Sequence, residues 1–241
     1  MIKFENVSKT YGKTTKAVDT LNLEIPDGKI VGFIGPNGAG KTTTIKMLTG
    51  ILTPDEGSIT INGFDIVKDS IDAKKQLGFV SDNPDMFLRL KGMEYLNFMA
   101  DIYQVSKEDR MQRVKELASK FHMEEALGDK IASYSHGMRQ KIMIMGALLH
   151  HPNVWILDEP LTGLDPQSSY ELKEMMRDHI AMNKTVFFST HVLEVAEKLC
   201  DFIVIINKGK MIFLGTLGEL RSQYDESKSL EEIFIGMTKY E

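Results

Sequence analysis

Residues 35–42 read GPNGAGKT, at the end of the apolar run KIVGFIG (29–35) and directly before the helical pattern TTTIKMLTG (42–50). The stretch matches G-x-x-x-x-G-K-[ST], in which glycines let the backbone curl around an anion while its amides and the helix N-terminus point at the phosphates. In this pattern Lys41 reaches the β- and γ-phosphates and the Thr42 hydroxyl ligates Mg²⁺. In an ordinary glycine-rich turn, a lysine and a threonine at these two positions would have no role. The residues predicted to bind the nucleotide here are Gly35, Pro36, Asn37, Gly38, Ala39, Gly40, Lys41, Thr42 and Thr43.

Short runs rich in Val, Ile and Phe recur along the chain and predict strands, because such residues suit a pleated, buried surface. The predicted strands are 2–8, 18–25, 29–35, 57–63, 77–81, 153–158, 184–190 and 202–209. Three of them, 29–35, 153–158 and 184–190, are almost wholly apolar, which is typical of strands that are buried on both faces of a parallel sheet. The first two runs carry Gly and Asp-Gly turns and favour an antiparallel edge.

The helical part of the chain is concentrated in one segment. Between residues 86 and 150 the hydrophobic spacing changes to 3.6 residues with almost no strand signal, which predicts an inserted helical subdomain. The predicted fold class is α/β, a P-loop NTPase with a mostly parallel central sheet and an antiparallel β edge subdomain. A single domain is expected, with its core in 1–85 and 151–220, the helical subdomain in 86–150, and a short C-terminal helical tail in 221–241.

Composition and charge argue against a nucleic-acid partner, an internal disulfide and a membrane span. The formal net charge is -5 and the isoelectric point is near 5.7, so no basic surface argues for nucleic acid, and none is expected as a partner. Cys200 is the only cysteine, which rules out an internal disulfide and fits a reducing compartment. Nothing approaches 18 consecutive apolar residues and the N-terminus lacks a signal-peptide pattern, so we expect a chain that neither spans nor crosses a membrane.

Two later strands end in residues that suit nucleotide chemistry. The segment VWILDEP (154–160) places Asp158 and Glu159 at the end of a buried strand, the edge at which open α/β sheets bind ligands. Asp158 suits the Mg²⁺ shell, and Glu159 is placed to orient or deprotonate an attacking water. His191 ends the strand KTVFFST and is predicted to contact the γ-phosphate, where the alternative is a capping or packing histidine. Together with the phosphate loop, these residues predict hydrolysis of a nucleoside triphosphate with Mg²⁺.

The segment YSHGMRQ (134–140) precedes the apolar helical pattern KIMIMGALL. Ser135 suits an N-cap, since a side-chain acceptor ahead of a helix satisfies a free backbone amide. The amide of Gly137 and the helix dipole would then offer an anion site. The serine is therefore interpreted as a phosphate ligand rather than a nucleophile, a role that is compatible with capping.

Six features occur in a fixed order along the chain: the phosphate loop, the helical insertion, YSHGM, ILDEP, LTGLDP and STH. In this order they resemble the ATP-binding cassette (ABC) ATPases, from about residue 2 to about residue 235. The resemblance implies that YSHGM is the family's signature motif, which binds ATP held by the phosphate loop of a second subunit. Ser135 and Gly137 fall on its serine and second glycine, while His136 replaces the first glycine and Met138 the glutamine. His136 either faces the nucleotide or occupies a slot where family members vary.

The resemblance assigns further residues one at a time. Tyr11 matches the aromatic residue that stacks on adenine, with Val18 packing nearby; the alternative for Tyr11 is a surface tyrosine in a turn. Asp165 of LTGLDP matches the aspartate of the loop that crosses the dimer interface. Asp82 stands where the family has a glutamine that senses Mg²⁺ and the membrane partner; an aspartate can still bind a water of the Mg²⁺ shell.

The YSHGM form of the signature, the stretch LKGMEYLNFMADIY and the closing SLEEIF resemble single-cassette ATPases of bacterial exporter-type transporters. That resemblance implies ATP and Mg²⁺ as cofactors, a second cassette as a homodimer or heterodimer partner, and a membrane-spanning permease docked near residues 82–100. It also implies a cytoplasmic chain held on the cytoplasmic face of the cell membrane. The alternative is a non-transport ABC-type ATPase; a P-loop kinase would not need YSHGM or LTGLDP. Cargo is not encoded in a cassette, because cargo touches the permease.

Overall fold

The structure is a computed structural model that describes residues 1–12, 14–224 and 228–239. Its strands are β1 (Ile2–Tyr11), β2 (Thr15–Ile25), β3 (Ile30–Ile34), β4 (Glu56–Ile61), β5 (Phe64–Asp65), β6 (Leu77–Val80), β7 (Val154–Asp158), β8 (Thr185–Thr190), β9 (Phe202–Asn207) and β10 (Lys210–Gly215). Its α-helices are α1 (Lys41–Leu48), α2 (Ser70–Lys75), α3 (Gly92–Ile102), α4 (Lys107–Phe121), α5 (His136–Leu148), α6 (Pro166–Ala181), α7 (Leu193–Leu199), α8 (Leu217–Tyr224) and α9 (Leu230–Lys239).

The central sheet has the strand order β10-β9-β3-β8-β7-β6. Every neighbouring pair in it is parallel except β9 and β10, which are antiparallel. The predicted, mostly parallel sheet is therefore confirmed. The sequence predicts one strand over 202–209, but β9 ends at Asn207 and the chain turns back as β10. Lys208 and Gly209 both have positive φ, 47° and 81°, as a tight hairpin turn requires.

The expected antiparallel edge is a separate four-stranded sheet with the order β2-β1-β4-β5. Strands β1 and β2 pair antiparallel, as do β1 and β4, which confirms the expectation for the early strands. Strand β5 was not predicted, because two residues between an Asn-Gly turn and α2 carry no periodic signal. This sheet lies beside the central sheet, and the two share one hydrophobic core with α1.

The two faces of the central sheet pack against different elements. One face meets α1 and the antiparallel sheet in a core that contains Ile156 and Phe187. The other face packs against α6 and against α3, α4 and α5, in a core centred on Trp155 and Phe188. Because side chains alternate along a strand, Asp158 and Ser189 share the face of Ile156 and Phe187 and point toward α1. The sheet thereby brings the ends of β7 and β8 under the phosphate loop.

The segment predicted to be helical contains α3, α4 and α5, with two short 3₁₀ turns between α4 and α5. A single isolated bridge between Lys91 and Lys130 is the strand-like pairing that the structure describes in this segment. At the C-terminal end, α8 and α9 pack with α7 on the β9–β10 hairpin. The expected tail also includes 225–227 and 240–241, which lie outside the described residues. Within the described ranges, every helix is too short or too polar to cross a bilayer.

Candidate nucleotide-binding site

The phosphate loop connects β3 to α1 and is shaped by two close backbone approaches. Gly40 is the N-cap of α1 with a φ of 108°, and a Cβ at this position would lie 2.4 Å from the carbonyl oxygen of Ala17. A Cβ on Gly35 would lie 2.4 Å from the carbonyl oxygen of Ile206. Only glycine fits either position, since a side chain there would overlap backbone atoms. The loop is thus held between β2 and β9, and the first three residues of α1 line an open cleft.

Lys41 occupies the centre of this loop. Its side chain is nearly buried, 8% exposed, and its Nζ donates to the carbonyl oxygen of Gly35 at 2.7 Å and of Pro36 at 3.3 Å. Burial lowers the pKa of the Lys41 ammonium below its ordinary value, and the carboxylates of Glu159 and Asp158 offset part of that shift. The cation is therefore held in position by the loop's own carbonyls, where a phosphate would meet it.

Asp158 ends β7 and is almost fully buried, 3% exposed. It pairs in register with Ser189 of β8, whose Oγ donates to Asp158 Oδ1 at 2.5 Å. Burial raises the pKa of the Asp158 carboxyl above its ordinary value; the hydrogen bond from Ser189 opposes this, and the carboxylates of Asp82 and Glu159 add to it. The carboxylates of Asp158, Asp82 and Glu159 thus lie near one another and near a single lysine, Lys41. The excess of negative charge favours a bound cation.

Glu159 turns out of the strand and faces His191. Its φ of 49° is uncommon for a residue other than glycine, and its amide donates to Ser189 Oγ at 3.0 Å. His191 Nδ1 lies 2.9 Å from Glu159 Oε2, and the histidine ring remains more than half exposed. The two predicted catalytic groups are thus in hydrogen-bond contact at the end of the sheet.

Lys41, Glu159 and His191 border one open cleft of about 450 Å³. Its lining includes the predicted residues Pro36, Asn37, Gly38, Gly40, Lys41, Thr42, Thr43, Asp82, Glu159 and His191. It also includes Ala17 and Thr162, which sequence reasoning missed. Ala17 lies next to Val18 in sequence and Thr162 lies inside LTGLDP, so their positions beside recognised residues were the available signal.

The residues predicted to hold the adenine occupy two different environments. Tyr11 is 46% exposed at the end of β1, so its ring is free to stack on a flat ligand. Val18 is fully buried, and its Cγ2 would lie 3.5 Å from a Cβ on Gly40. Val18 therefore packs against the phosphate loop at Gly40. The stacking role of Tyr11 stays a prediction.

The signature motif YSHGM (134–138) contributes no residue to the lining of this cleft. Ser135 is the N-cap of α5 and accepts a hydrogen bond from the Met138 amide at 3.3 Å, as predicted for its capping role. The ring of His136 packs against Gly163, because a Cβ there would lie 2.5 Å from His136 Cδ2. Met138 packs against the core of the helical segment. Ser135 and His136 are exposed and Gly137 is half-buried, so these three residues form the surface at this helix end.

Asp165 caps the next helix in the same way. It is the N-cap of α6, and its side chain accepts hydrogen bonds from the amide and from the hydroxyl of Ser168. These bonds hold the pKa of the Asp165 carboxyl below its ordinary value. The cap fixes where the loop 159–165 ends and α6 begins. A contact of Asp165 with a second subunit remains a prediction.

The donor set can be tested for its fit to Mg²⁺. Among the described residues there is no group of three or more His, Cys, Asp or Glu arranged to hold a metal alone. Mg²⁺ keeps several waters and usually binds through one or two carboxylates together with substrate phosphates. A buried carboxylate at Asp158 with a raised pKa, beside the Thr42 hydroxyl, fits this kind of site. The residues present therefore suit Mg²⁺ that arrives with a nucleotide.

Comparisons with known proteins agree with this geometry. The family model described as ABC transporter matches residues 18–162. The chain is 35% identical over 228 residues to the ABC transporter ATP-binding protein NatA of Bacillus subtilis, covering 94% of this chain and 92% of that protein. It is 37% identical over 232 residues to the ABC-type transporter ATP-binding protein EcsA of the same organism, covering 95% and 94%.

Solved structures give the same answer at the level of the fold. The ATP-binding subunit of an ABC transporter superposes with a TM-score of 0.94 at 32% identity, covering 98% of this chain and 99% of that chain. A dimeric ATP-binding cassette in a post-hydrolysis state, bound to ADP and Pi, superposes with a TM-score of 0.81 at 26% identity, covering 90% and 99%. The chain therefore belongs to the ATP-binding proteins of ABC transporters, cassettes that bind and hydrolyse ATP to drive transport through a separate permease.

Proposed function

We propose that this cassette hydrolyses ATP in a head-to-tail pair with a second cassette, using Mg²⁺, and drives its permease from the cytoplasmic face of the membrane. The observation that supports this proposal is the set of residues that line the cleft. The lining of the cleft includes Lys41, Thr42 and Glu159, whereas Ser135, expected to bind the γ-phosphate, lies outside it. Closure of two such chains completes both pockets at once. ATP favours the closed pair because it binds that state more tightly than the open one.

Within the cleft, each side chain has a role that its environment supports. Lys41 neutralises the β- and γ-phosphates, since its ammonium is already held at the centre of the loop. Glu159 orients or deprotonates the attacking water, and its hydrogen bond to His191 lets the histidine reach toward the γ-phosphate. Asp158, Thr42 and Asp82 are the residues that would hold Mg²⁺. The bound ion would supply charge neutralisation for the phosphate oxygens.

The second half of the pocket comes from the partner's signature segment. Capping of α5 by Ser135 uses one lone pair of its hydroxyl oxygen, so the hydroxyl hydrogen stays available to donate to a phosphate oxygen. The amide of Gly137 and the dipole of α5 add to the same anion site. Asp165, fixed as the cap of α6, brings the loop 159–165 to the dimer interface.

The permease is proposed to dock on apolar surface around the loop after β6 and helix α3. Met86, Phe87 and Phe98 are each more than a third exposed, and a groove of about 320 Å³ runs beside the first two. Large apolar residues that remain exposed together mark an interaction site. Arg139, the residue directly after YSHGM on α5, donates to Asp85 Oδ1 at 2.6 Å. A force on this loop is thereby passed to the start of α5.

The test is Glu159→Gln, which keeps the size of the side chain but removes its negative charge. We expect ATP binding to remain within about threefold and turnover to fall by about 10²- to 10⁴-fold, the range for loss of a general base. The variant should form an ATP-dependent dimer on size-exclusion chromatography with Mg²⁺ present. Glu194→Gln, on exposed surface of α7, is the matched control and should behave as the unmodified chain.

Normal turnover in Glu159→Gln would remove Glu159 from the role of base. Loss of turnover with no ATP-dependent dimer would instead contradict the shared pocket. The permease is sought by purifying the tagged cassette from native membranes and identifying a co-purifying protein with several apolar spans of about 20 residues. Recovery of the cassette only from the soluble fraction would contradict membrane association.

A further inference from the structure

Ser189 is a buried hydroxyl that joins the two carboxylate residues at the end of β7. It lies on β8 with no solvent exposure, opposite Asp158 in the parallel register. Its Oγ donates to Asp158 Oδ1 at 2.5 Å and accepts from the amide of Glu159 at 3.0 Å. Both hydrogen-bonding directions of the hydroxyl are therefore used. Burying a hydroxyl costs free energy that an apolar side chain at this position would avoid. The two hydrogen bonds offset that cost and indicate a role for the hydroxyl.

The bond to the amide holds a strained residue. Glu159 has a φ of 49°, in the left-handed region that side chains other than glycine rarely adopt. Such a conformation persists only when neighbouring contacts fix it. Two contacts do so at the backbone of Glu159. The amide donates to Ser189 Oγ, and the carbonyl oxygen accepts from the amide of Thr162 at 3.2 Å.

The turn at Glu159 decides where its carboxylate points. Residue 158 still follows the strand alternation, and the left-handed turn at 159 directs the next side chain to His191 and the cleft. If the peptide relaxed, the carboxylate would move relative to the bound phosphates. A displacement of about 1 Å at a reacting group can lower a rate by about 10²-fold.

We propose that Ser189 is a positioning residue for ATP hydrolysis, acting by fixing the peptide of Glu159 so that its carboxylate faces the cleft. The inference rests on the proposed role of Glu159. It assigns no contact between Ser189 and substrate, because Ser189 is fully buried behind the two carboxylate residues. Its effect should therefore fall on turnover and leave ATP affinity almost unchanged.

The test uses Ser189→Ala and Ser189→Cys. The second variant nearly preserves side-chain volume while replacing a strong hydrogen-bonding group by a weak one. We expect kcat to fall about 10- to 100-fold in both, with KM for ATP within about threefold. Thr185→Val is the matched control, since it removes a buried hydroxyl four residues earlier on β8 whose one bond within the described ranges goes to the backbone of Pro26. It should keep kcat within about twofold.

A second readout does not depend on turnover. Amide hydrogen exchange in the segment 157–161 should accelerate in both Ser189 variants and stay unchanged in Thr185→Val, because only the former lose the partner of the Glu159 amide. On a Glu159→Gln background, Ser189→Ala should cause little further loss of residual turnover, since residues that act through one another are not additive.

Wild-type kcat in both Ser189 variants, or a loss that falls on KM, would overturn the inference. So would additive losses on the Glu159→Gln background, which would show that Ser189 acts by another route. The two proposals fail differently. Normal turnover in Glu159→Gln refutes the role of Glu159, whereas an inactive Glu159→Gln with a fully active Ser189→Ala refutes only the role of Ser189.

Discussion

Lys41→Ala should remove most of the affinity for ATP without unfolding the protein. The ammonium lies at the centre of the phosphate loop and donates to the carbonyl oxygens of Gly35 and Pro36. An incoming triphosphate exchanges these carbonyls for phosphate oxygens that carry full negative charge. Loss of the side chain therefore removes the cation but leaves the glycine-shaped loop, whose backbone amides still face the anion.

The magnitude follows from the positions of the charges. A lysine about 4 Å from each of two phosphate charges, at an effective dielectric constant of about 20, gains about 8 kcal/mol. It gives up two charge-assisted bonds to loop carbonyls, each worth about 1.5–3 kcal/mol. The difference is about 2–5 kcal/mol, which weakens ATP binding by a factor between about 30 and a few thousand. Burial lowers the pKa of the Lys41 ammonium, so its charge is not a source of fold stability and its loss should shift Tm by only a few degrees.

The assay is calorimetric titration of the monomer with ATP and Mg²⁺ at fixed ionic strength, alongside thermal unfolding without nucleotide. Lys46→Ala is the matched control, because Lys46 lies on the same helix with its side chain in solvent. It should change ATP affinity less than threefold, as expected for an exposed charge screened by salt. An unchanged Kd in Lys41→Ala, or an equal loss in Lys46→Ala, would refute the reasoning.

Three further predictions concern other parts of the molecule. Ser135→Ala should lower hydrolysis at least tenfold with ATP affinity of the monomer unchanged, and cost about 0.5–2 kcal/mol of stability through the lost cap; weaker monomer binding would place the serine in its own chain's pocket. Asp82→Gln should leave basal hydrolysis within about threefold, because Asp82 is exposed and proposed to act through water; a collapse in a phosphate-release assay would contradict this. Burial lowers the pKa of His150 and of His179 to about 4, from an ordinary value of 6.5. Between pH 4 and pH 6.5 the unfolded chain therefore binds more protons than the folded chain. The stability that comes from keeping these two histidines neutral is complete above pH 6.5 and is lost as the pH falls toward 4. Urea midpoints at pH 7 and pH 5 should differ less in His179→Phe than in the unmodified chain; equal differences would remove His179 as a cause.

The elements predicted correctly from sequence have local signals. The three apolar runs that became β3, β7 and β8 are each bounded by turns within the same short stretch. The cap at Ser135 depends on the following helix alone. The short strand β5 and the strand β10 were missed, because one is two residues long and the other follows a two-residue turn inside an apolar run. Two residues are too few to establish a period, and the six residues of β10 read as a continuation of the apolar run of β9.

The sequence by itself determined the phosphate loop, the order of the motifs and the family, since each depends on residue types at fixed short spacings. Only the tertiary structure decided which distant groups meet. Ser189 and Asp158 are 31 residues apart in sequence, and the register of two parallel strands joins them. The ring of His136 meets Gly163 through the packing of α5 on the loop 159–165. Such pairings depend on strand order, register and helix packing, which arise from burial over the whole core and leave no signature in any single stretch of chain.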